Sequence, residues 1–360
     1  MVELLEEIPL APLTTLGVGG AARFLVESRS DAELTRALEW AAQHRVGVRV
    51  LGGGSNVVVS DSGYPGLVLR LASRGVELTD RGDHVELTAA AGEPWDALVQ
   101  LACDRGLTGL ECLSGIPGQA GATPVQNVGA YGVDVARRIV AVRAVERTTL
   151  EPVELGATDC GFRYRDSRFK SGEPERFVIT GVTYRLDKGD APAPAYAELA
   201  RHLGARGLAR PTASEIRESV LAVRRSKSMV LEATDENRRS CGSFFLNPVV
   251  DAELADEIAR RAGNEPMPRY PERDGRVKLA AAWLIERAGL SKGERLGPVG
   301  LSTRHSLALV AHDGARASDV VAFARRVRAR VAERFGVRLI PEPAFWGFAS
   351  LDDGLPDERT

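Results

Sequence analysis

SGIPGQAGATPVQNVGAYG, Ser114 to Gly132, carries five glycines and two prolines in nineteen residues and fits neither the helical nor the strand period. Glycine is favoured where the backbone must turn with positive φ or come close to a ligand, so a cluster outside a hairpin marks a candidate binding loop. A second cluster lies upstream, where the apolar run Val48 to Leu51 (VRVL) leads directly into GGGSN, Gly52 to Asn56. Its backbone N–H groups can curl around anionic oxygens because no Cβ blocks the approach. The pattern is neither G-x-G-x-x-G nor a P-loop, since no G-K-[ST] follows. A tight strand-to-strand turn would explain GGGSN alone. Two clusters, one per α+β unit, favour a ligand with an extended phosphate bridge held between the units, with Gln126 and Asn127 offering donors and acceptors to a flat heterocycle or to phosphate.

The flanking patterns define those units. Ala21 to Ser28 reads as a strand, and Ser30 with Glu33 forms an S-x-x-E capping box opening a helix that runs to about His44. Strands Val48–Leu51, Val57–Val59 and Leu67–Leu71 complete a first unit, residues 1–75. A second, 76–227, holds strands His84–Ala90, Ile139–Glu146 and Phe177–Leu186, a helix at about Glu93–Arg105, a stiff exposed connector APAPAY (Ala191 to Tyr196), and a helix capped by Thr212 and Glu215. A third, 228–335, has helical patterns at Ala252–Arg261, Lys278–Ala288 and Ser318–Phe335 and a strand at Ser306–Ala311. Val337–Phe348 (within 336–348) reads as a strand returning to the first unit, and 349–360 as a tail.

Composition excludes several classes. Forty-seven Lys and Arg against forty-nine Asp and Glu give a net charge of −2, too balanced for a phosphate-tracking nucleic-acid binder. The acidic start MVELLEEIPL and the lack of a long apolar run argue against a signal peptide or membrane insertion, so a cytoplasmic protein is expected. Cys103, Cys112, Cys160 and Cys241 form no C-x-x-C pair and read as reduced. No two of the five histidines have i, i+3 or i, i+4 spacing, so no metal is expected.

LTTLGVGG (Leu13 to Gly20), LGGGSN, the Ser114–Gly132 block, YRDSRFK, GSFFLNPV and PEPAFWG stand in an order that resembles the UDP-N-acetylenolpyruvoylglucosamine reductase family across nearly the whole chain. The resemblance implies an α+β fold of two FAD-binding subdomains (the PCMH-type FAD-binding fold) and a third, substrate-binding α+β domain. It also implies NADPH-dependent reduction, through FAD, of the enolpyruvyl group of UDP-N-acetylglucosamine enolpyruvate to UDP-N-acetylmuramate, a step in peptidoglycan synthesis and hence in cell shape and division. A ping-pong cycle is expected, with NADPH reducing FAD before the enolpyruvyl substrate enters. The cofactor contacts it implies are Leu51, Gly52, Gly53, Gly54, Ser55 and Asn56 from the first cluster. From the second they are Ser114, Gly115, Ile116, Pro117, Gly118, Gly121, Ala122, Gln126, Asn127, Gly129, Tyr131 and Gly132.

Reducing an enol ether by hydride needs two things: fixed positive charge or hydrogen bonds on the substrate carboxylate, and an acid to protonate the carbon that bears it. Arg165 in YRDS, with its planar fork, suits the first; its alternative is an ion pair with Asp166 or another acid. Ser243 in CGSFFLNP matches the family's proton donor; its alternative is a turn or capping serine. Glu342 in PEP matches a third catalytic position, orienting or polarising the carboxylate with Arg165; its alternative is a solvated strand-end glutamate. Tyr164, Tyr196, Lys227, Asn247 and Arg287 match substrate-binding positions, Tyr196 marking the form with a tyrosine-bearing loop and Arg287 standing where glutamine is common. A monomer acting on a small molecule is expected. Two rivals remain at this level: an oxidase of the vanillyl-alcohol-oxidase type, weakened because no His lies in GGGSN or between Asn56 and Leu71, and a non-catalytic nucleotide-sugar binding module.

Overall fold

The computed structural model describes residues 2–263, 265–272, 274–348 and Leu355. Its chain divides into two compact units. One comprises Met1–Ile8, Ala22–Gly54 and Tyr64–Leu231; the other comprises Pro9–Ala21, Ser55–Gly63 and Glu232–Thr360. These bounds cut across the expected 1–75, 76–227 and 228–335, because two short N-terminal segments fold with the C-terminal third. The expected tail 349–360 lies outside the described residues apart from Leu355.

In the first unit a four-stranded sheet has the order Leu5–Pro9, Ala21–Ser28, Tyr64–Leu71, Val48–Leu51. The last three strands are parallel, with Val26 and Val50 both opposite Leu69. The helix Asp31–Gln43 supplies the crossover. Ser30 caps it by accepting the Glu33 N–H, whereas the Glu33 carboxylate accepts from Arg29 N rather than closing the box on Ser30. Leu34, Ala37, Leu38 and Ala41 form its buried stripe.

The second sheet of this unit is antiparallel, in the order Pro152–Gly156, Ile139–Glu146, Phe177–Lys188, His84–Ala90, Val76–Asp80. Val145 and Val178 from it share one core with Leu67 and Leu69 of the first sheet. Helices Trp95–Asp104 and Ala213–Ser226 accompany it, the latter opened by a complete capping box in which Thr212 and Glu215 satisfy each other's backbone N–H groups.

The second unit has a four-stranded sheet, Ser240–Ser243, Ala308–Ala311, Val299–Leu301, Arg295–Leu296, and a three-stranded sheet, Val249–Val250, Val277–Leu279, Arg269–Pro271. Helix Ala317–Phe335 buries Val320, Phe323, Ala324, Val327 and Val331 completely, as their spacing predicts. Its first N–H groups, on Ala317 and Ser318, donate to the Asp61 carboxylate at 2.7 and 3.1 Å. The helix expected over Lys278–Ala288 begins only at Ala281. Val277–Leu279 is instead a strand paired on both sides, and Asn247 Oδ1 accepts the Ala281 N–H where the helix starts. The C-terminal strand is real but short: Ala344–Trp346 runs parallel to Val57–Val59.

Candidate functional site

The two glycine clusters meet in the first unit. Gly53 packs against Gly118 so tightly that a Cβ on Gly53 would stand 2.8 Å from the Gly118 Cα. Gly54 (φ +64°) and Gly118 (φ +131°) occupy backbone space that L side chains rarely enter. Beside Gly52 lies the Gln119 side chain, whose Nε2 donates to Leu71 O at 3.2 Å while its buried Oε1 has no hydrogen-bond partner among the described residues. An orphaned buried acceptor costs free energy unless something donates to it, and here it borders a cradle of bare backbone. Leu51 is buried at the end of the strand that delivers the turn.

The Ser114–Gly132 block is held by its neighbours rather than by regular structure. Gly115 N donates to Asp96 Oδ1 at 2.6 Å, and Arg217 grips the same carboxylate with two bonds of 2.6 and 2.7 Å. Burial alone would raise the Asp96 pKa, but the Arg217 and Gly115 hydrogen bonds hold it below the ordinary carboxylate value. Gly121 N donates to Ala91 O, and Thr123 Oγ1 is 2.8 Å from Tyr184 Oη in the core. Ser114 is fully buried and its hydroxyl donates to Glu111 O, so its side chain serves the fold. Contrary to the expectation of irregularity throughout, Thr123–Gln126 is one helical turn, ended by Asn127 in the left-handed region (φ +43°). Gly132 faces open space: nothing lies within 4 Å of where its Cβ would be.

The YRDS segment is fastened onto this block. Arg163 and Asp166 exchange backbone hydrogen bonds of 2.9 and 3.2 Å, making a tight turn with Tyr164 and Arg165 at its tip. Arg165 takes φ +51°, a conformation costing a non-glycine residue on the order of 1–3 kcal/mol unless its surroundings enforce it. They do: Asn127 Nδ2 donates to Arg163 O at 2.8 Å and Ser167 Oγ to Val125 O at 2.8 Å. The Arg165 guanidinium donates to Asn127 O at 3.2 Å and to Gly129 O, and lies over the Tyr164 ring at 5.5 Å. Asp166, buried, forms its ion pair with Arg163 (3.7 Å).

Tyr131 and Tyr196, one from the glycine block and one from the connector, meet edge to face at 5.3 Å. Burial pushes the Tyr131 phenol up to about 12, so it stays protonated. Arg224, 8% exposed, is hydrogen-bonded to Tyr131, and its Nη2 donates to Met229 O at 2.6 Å. Lys227 pairs with Glu198.

In the second unit Ser243 closes the strand Ser240–Ser243, half-buried opposite Ala308. The next residue, Phe244, accepts the Glu342 N–H at 2.9 Å, and Phe245 bridges Pro341, so the stretches bearing Ser243 and Glu342 run side by side. Asn56 lies here too, its carbonyl accepting from Ala344 N (3.1 Å) and its Nδ2 donating to Glu342 O (3.4 Å). Cys241 is buried; desolvation and then the Glu342 charge push its thiol up to about 12, which removes it as a nucleophile. Arg287 pairs with Glu265 (2.5 Å) and lies over Trp283 (5.8 Å). Among the described residues no group of three or more His, Cys, Asp or Glu is placed to hold a metal ion. Gln119 was missed by the sequence reading; its position inside SGIPGQAG was the available signal.

A model of the FAD binding domain matches residues 22–149, and one of the UDP-N-acetylenolpyruvoylglucosamine reductase C-terminal domain matches 234–346. The UDP-N-acetylenolpyruvoylglucosamine reductase of Thermobifida fusca is 45% identical over 95% of this chain and 98% of its own. The chain belongs to the UDP-N-acetylenolpyruvoylglucosamine reductase family. The reductase of Streptomyces coelicolor is 46% identical over 97% of this chain and 91% of its own. The crystal structure of the Thermus caldophilus reductase is 29% identical and covers 96% of this chain and 99% of its own, with a TM-score of 0.65. Membership makes the chain an FAD-dependent oxidoreductase and sets aside the oxidase and binding-module readings. FAD fits the residues present: a donor-free buried acceptor at Gln119, paired glycines that leave backbone uncovered, and the open face at Gly132.

Proposed function

We propose that this reductase converts UDP-N-acetylglucosamine enolpyruvate to UDP-N-acetylmuramate, with Arg165, Ser243 and Glu342 carrying the substrate chemistry. FAD, when bound, would supply the hydride chemistry that links NADPH to the terminal alkene carbon. Gly52–Gly54, Gly115, Gly118 and Gly121, with Gln119, Gln126 and Asn127, hold it; Ile116, Pro117, Ala122, Gly129, Tyr131 and Gly132 line it; and Ser55 and Asn56 complete the first turn.

Arg165 binds the substrate carboxylate through its guanidinium fork and draws negative charge onto it as the carbon beside it becomes electron-rich. Ser243 gives its hydroxyl proton to that carbon, and solvent restores the proton. Glu342 orients the carboxylate together with Arg165. Tyr164, Tyr196, Lys227, Asn247 and Arg287 recognise the nucleotide sugar, Lys227 and Arg287 by exchanging their glutamates for its diphosphate. The observation that carries this reading is the Arg165 guanidinium fastened to the carbonyls of Asn127 and Gly129 inside the cofactor block. In rapid mixing, Arg165→Met should slow reoxidation by substrate by about 10²–10³-fold and leave reduction by NADPH unchanged. Wild-type reoxidation in that variant would sink the assignment.

We further infer a monomeric cytoplasmic enzyme. No described helix is long and apolar enough to cross a membrane, and the charge balance disfavours nucleic acid. A sedimentation mass near 38.6 kDa is expected for a single chain.

A further inference from the structure

We propose that Lys170 is a positioning residue for this reduction, acting through Arg165; the inference rests on the role assigned to Arg165 above. The Lys170 ammonium donates to Gln126 Oε1 at 2.7 Å and to the Arg165 carbonyl at 3.4 Å. It therefore ties the side chain of one residue in the glycine block to the backbone of the residue that presents the guanidinium. Lys170 sits in Arg168–Gly172, a single turn of π-helix, a geometry that is rare and recurs at functional sites.

Two features make this link more than a loop contact. Arg165 is held in the left-handed region, where a non-glycine residue stays only if its surroundings over-determine it. The Arg163–Asp166 bridge restrains the two ends of the turn, and Lys170 takes the carbonyl at its tip, which fixes the peptide plane leaving Arg165. Charge is the second feature. Lys170 reaches Gln126 while Arg165 reaches Asn127 and Gly129, so two cations converge on four consecutive residues of the block. A site built this way is poised for an anionic group, and the carboxylate of the enolpyruvyl ether is the anion the reaction brings. Replacing the ammonium releases the turn and lets the guanidinium drift from the place where it meets that anion.

The test uses the FAD-loaded enzyme. Lys170→Met should slow reoxidation by substrate by about 10–100-fold, the scale expected for a misplaced catalytic group, while reduction by NADPH stays within about twofold. Its affinity for the product carboxylate, titrated as UDP-N-acetylmuramate against the oxidised protein, should fall about tenfold. Lys170→Arg, which keeps charge and donors, should recover most of both. Combined with Arg165→Met, Lys170→Met should add no further slowing, because the residue acts through the guanidinium. Flavin loss in Lys170→Met, equal slowing of both half-reactions, or full additivity with Arg165→Met would reduce Lys170 to a prop of the loop and overturn the proposal. Should Arg165→Met leave reoxidation intact, the parent assignment fails instead, which the same experiment reads separately.

Discussion

Gly53 and Gly118 are in backbone contact, a Cβ on the first falling 2.8 Å from the Cα of the second. Each comes from a different glycine cluster, so Gly52–Gly54 and the Ser114–Gly132 block pack together within the first unit. Since the obstacle is backbone, Gly53→Ala cannot be accommodated by a rotamer change. An overpacking cost of about 1–3 kcal/mol is expected, taken largely as displacement of the loops. Flavin titration of the apoprotein should show affinity for FAD at least about tenfold weaker, with a lowered melting temperature. Unchanged affinity would separate this contact from the cofactor.

Ser243→Ala removes a hydroxyl without disturbing the backbone pairing of Phe244 with Glu342. Reduction by NADPH should proceed normally. Reoxidation by the enolpyruvyl substrate should slow by about 10²–10⁴-fold, the range for a lost general acid. Visible absorbance in stopped flow follows both steps, and normal turnover would rule out the proton-donor role.

Asp96 ties Gly115 to Arg217, and Arg217 is only 8% exposed. Asp96→Asn leaves that guanidinium short of its counter-charge and should cost about 2 kcal/mol, the lower side for a broken pair because the carboxylate is 40% exposed. The folded pKa of Asp96 lies below its ordinary value of 3.8, so its stabilisation is complete above that value and is lost as pH falls through the folded pKa. Urea titrations of wild type and variant should therefore differ at pH 7 and converge in strong acid. A gap that persists there would assign the effect to shape rather than charge.

Burial sets the thiol chemistry. Cys103, Cys112 and Cys241 are pushed up to about 12 and Cys160 to about 11, in each case mainly by desolvation. All four are buried and free. A thiol-specific disulfide reagent at neutral pH should find no reactive cysteine in the native protein and four after denaturation. Rapid labelling of Cys241 in the folded state would contradict its placement.

Local signals were legible where one side of an element is buried. The stripe Val320, Phe323, Val327, Val331 and the Thr212–Glu215 box can be read directly from the chain, and both stand as expected. Val76–Asp80 escaped notice because it has no buried residue and is defined by its partner His84–Ala90 alone. Within the candidate site, residue types in ordered blocks pointed to Arg165, Ser243 and Glu342. What holds them was not legible: Lys170 on Gln126, Asn127 on Arg163 and Asn56 on Glu342 are contacts between segments, and no spacing rule encodes them. The Lys278–Ala288 pattern misled because Lys278 and Leu279 serve a strand just before Ala281 opens the helix.

The parallel pairing of Val57–Val59 with Ala344–Trp346 means that the C-terminal unit is not encoded by a continuous stretch of gene. Leu16, Val18 and Val58 belong to its core, and burying each contributes about 1.5–3 kcal/mol. A fragment excised at residue 234 would carry a hole where those side chains belong and a bare strand edge, an invitation to aggregate. During vectorial synthesis Val57–Val59 has to await its parallel partner until Ala344–Trp346 has left the ribosome, so closure of this unit comes late, after nearly three hundred further residues have been made.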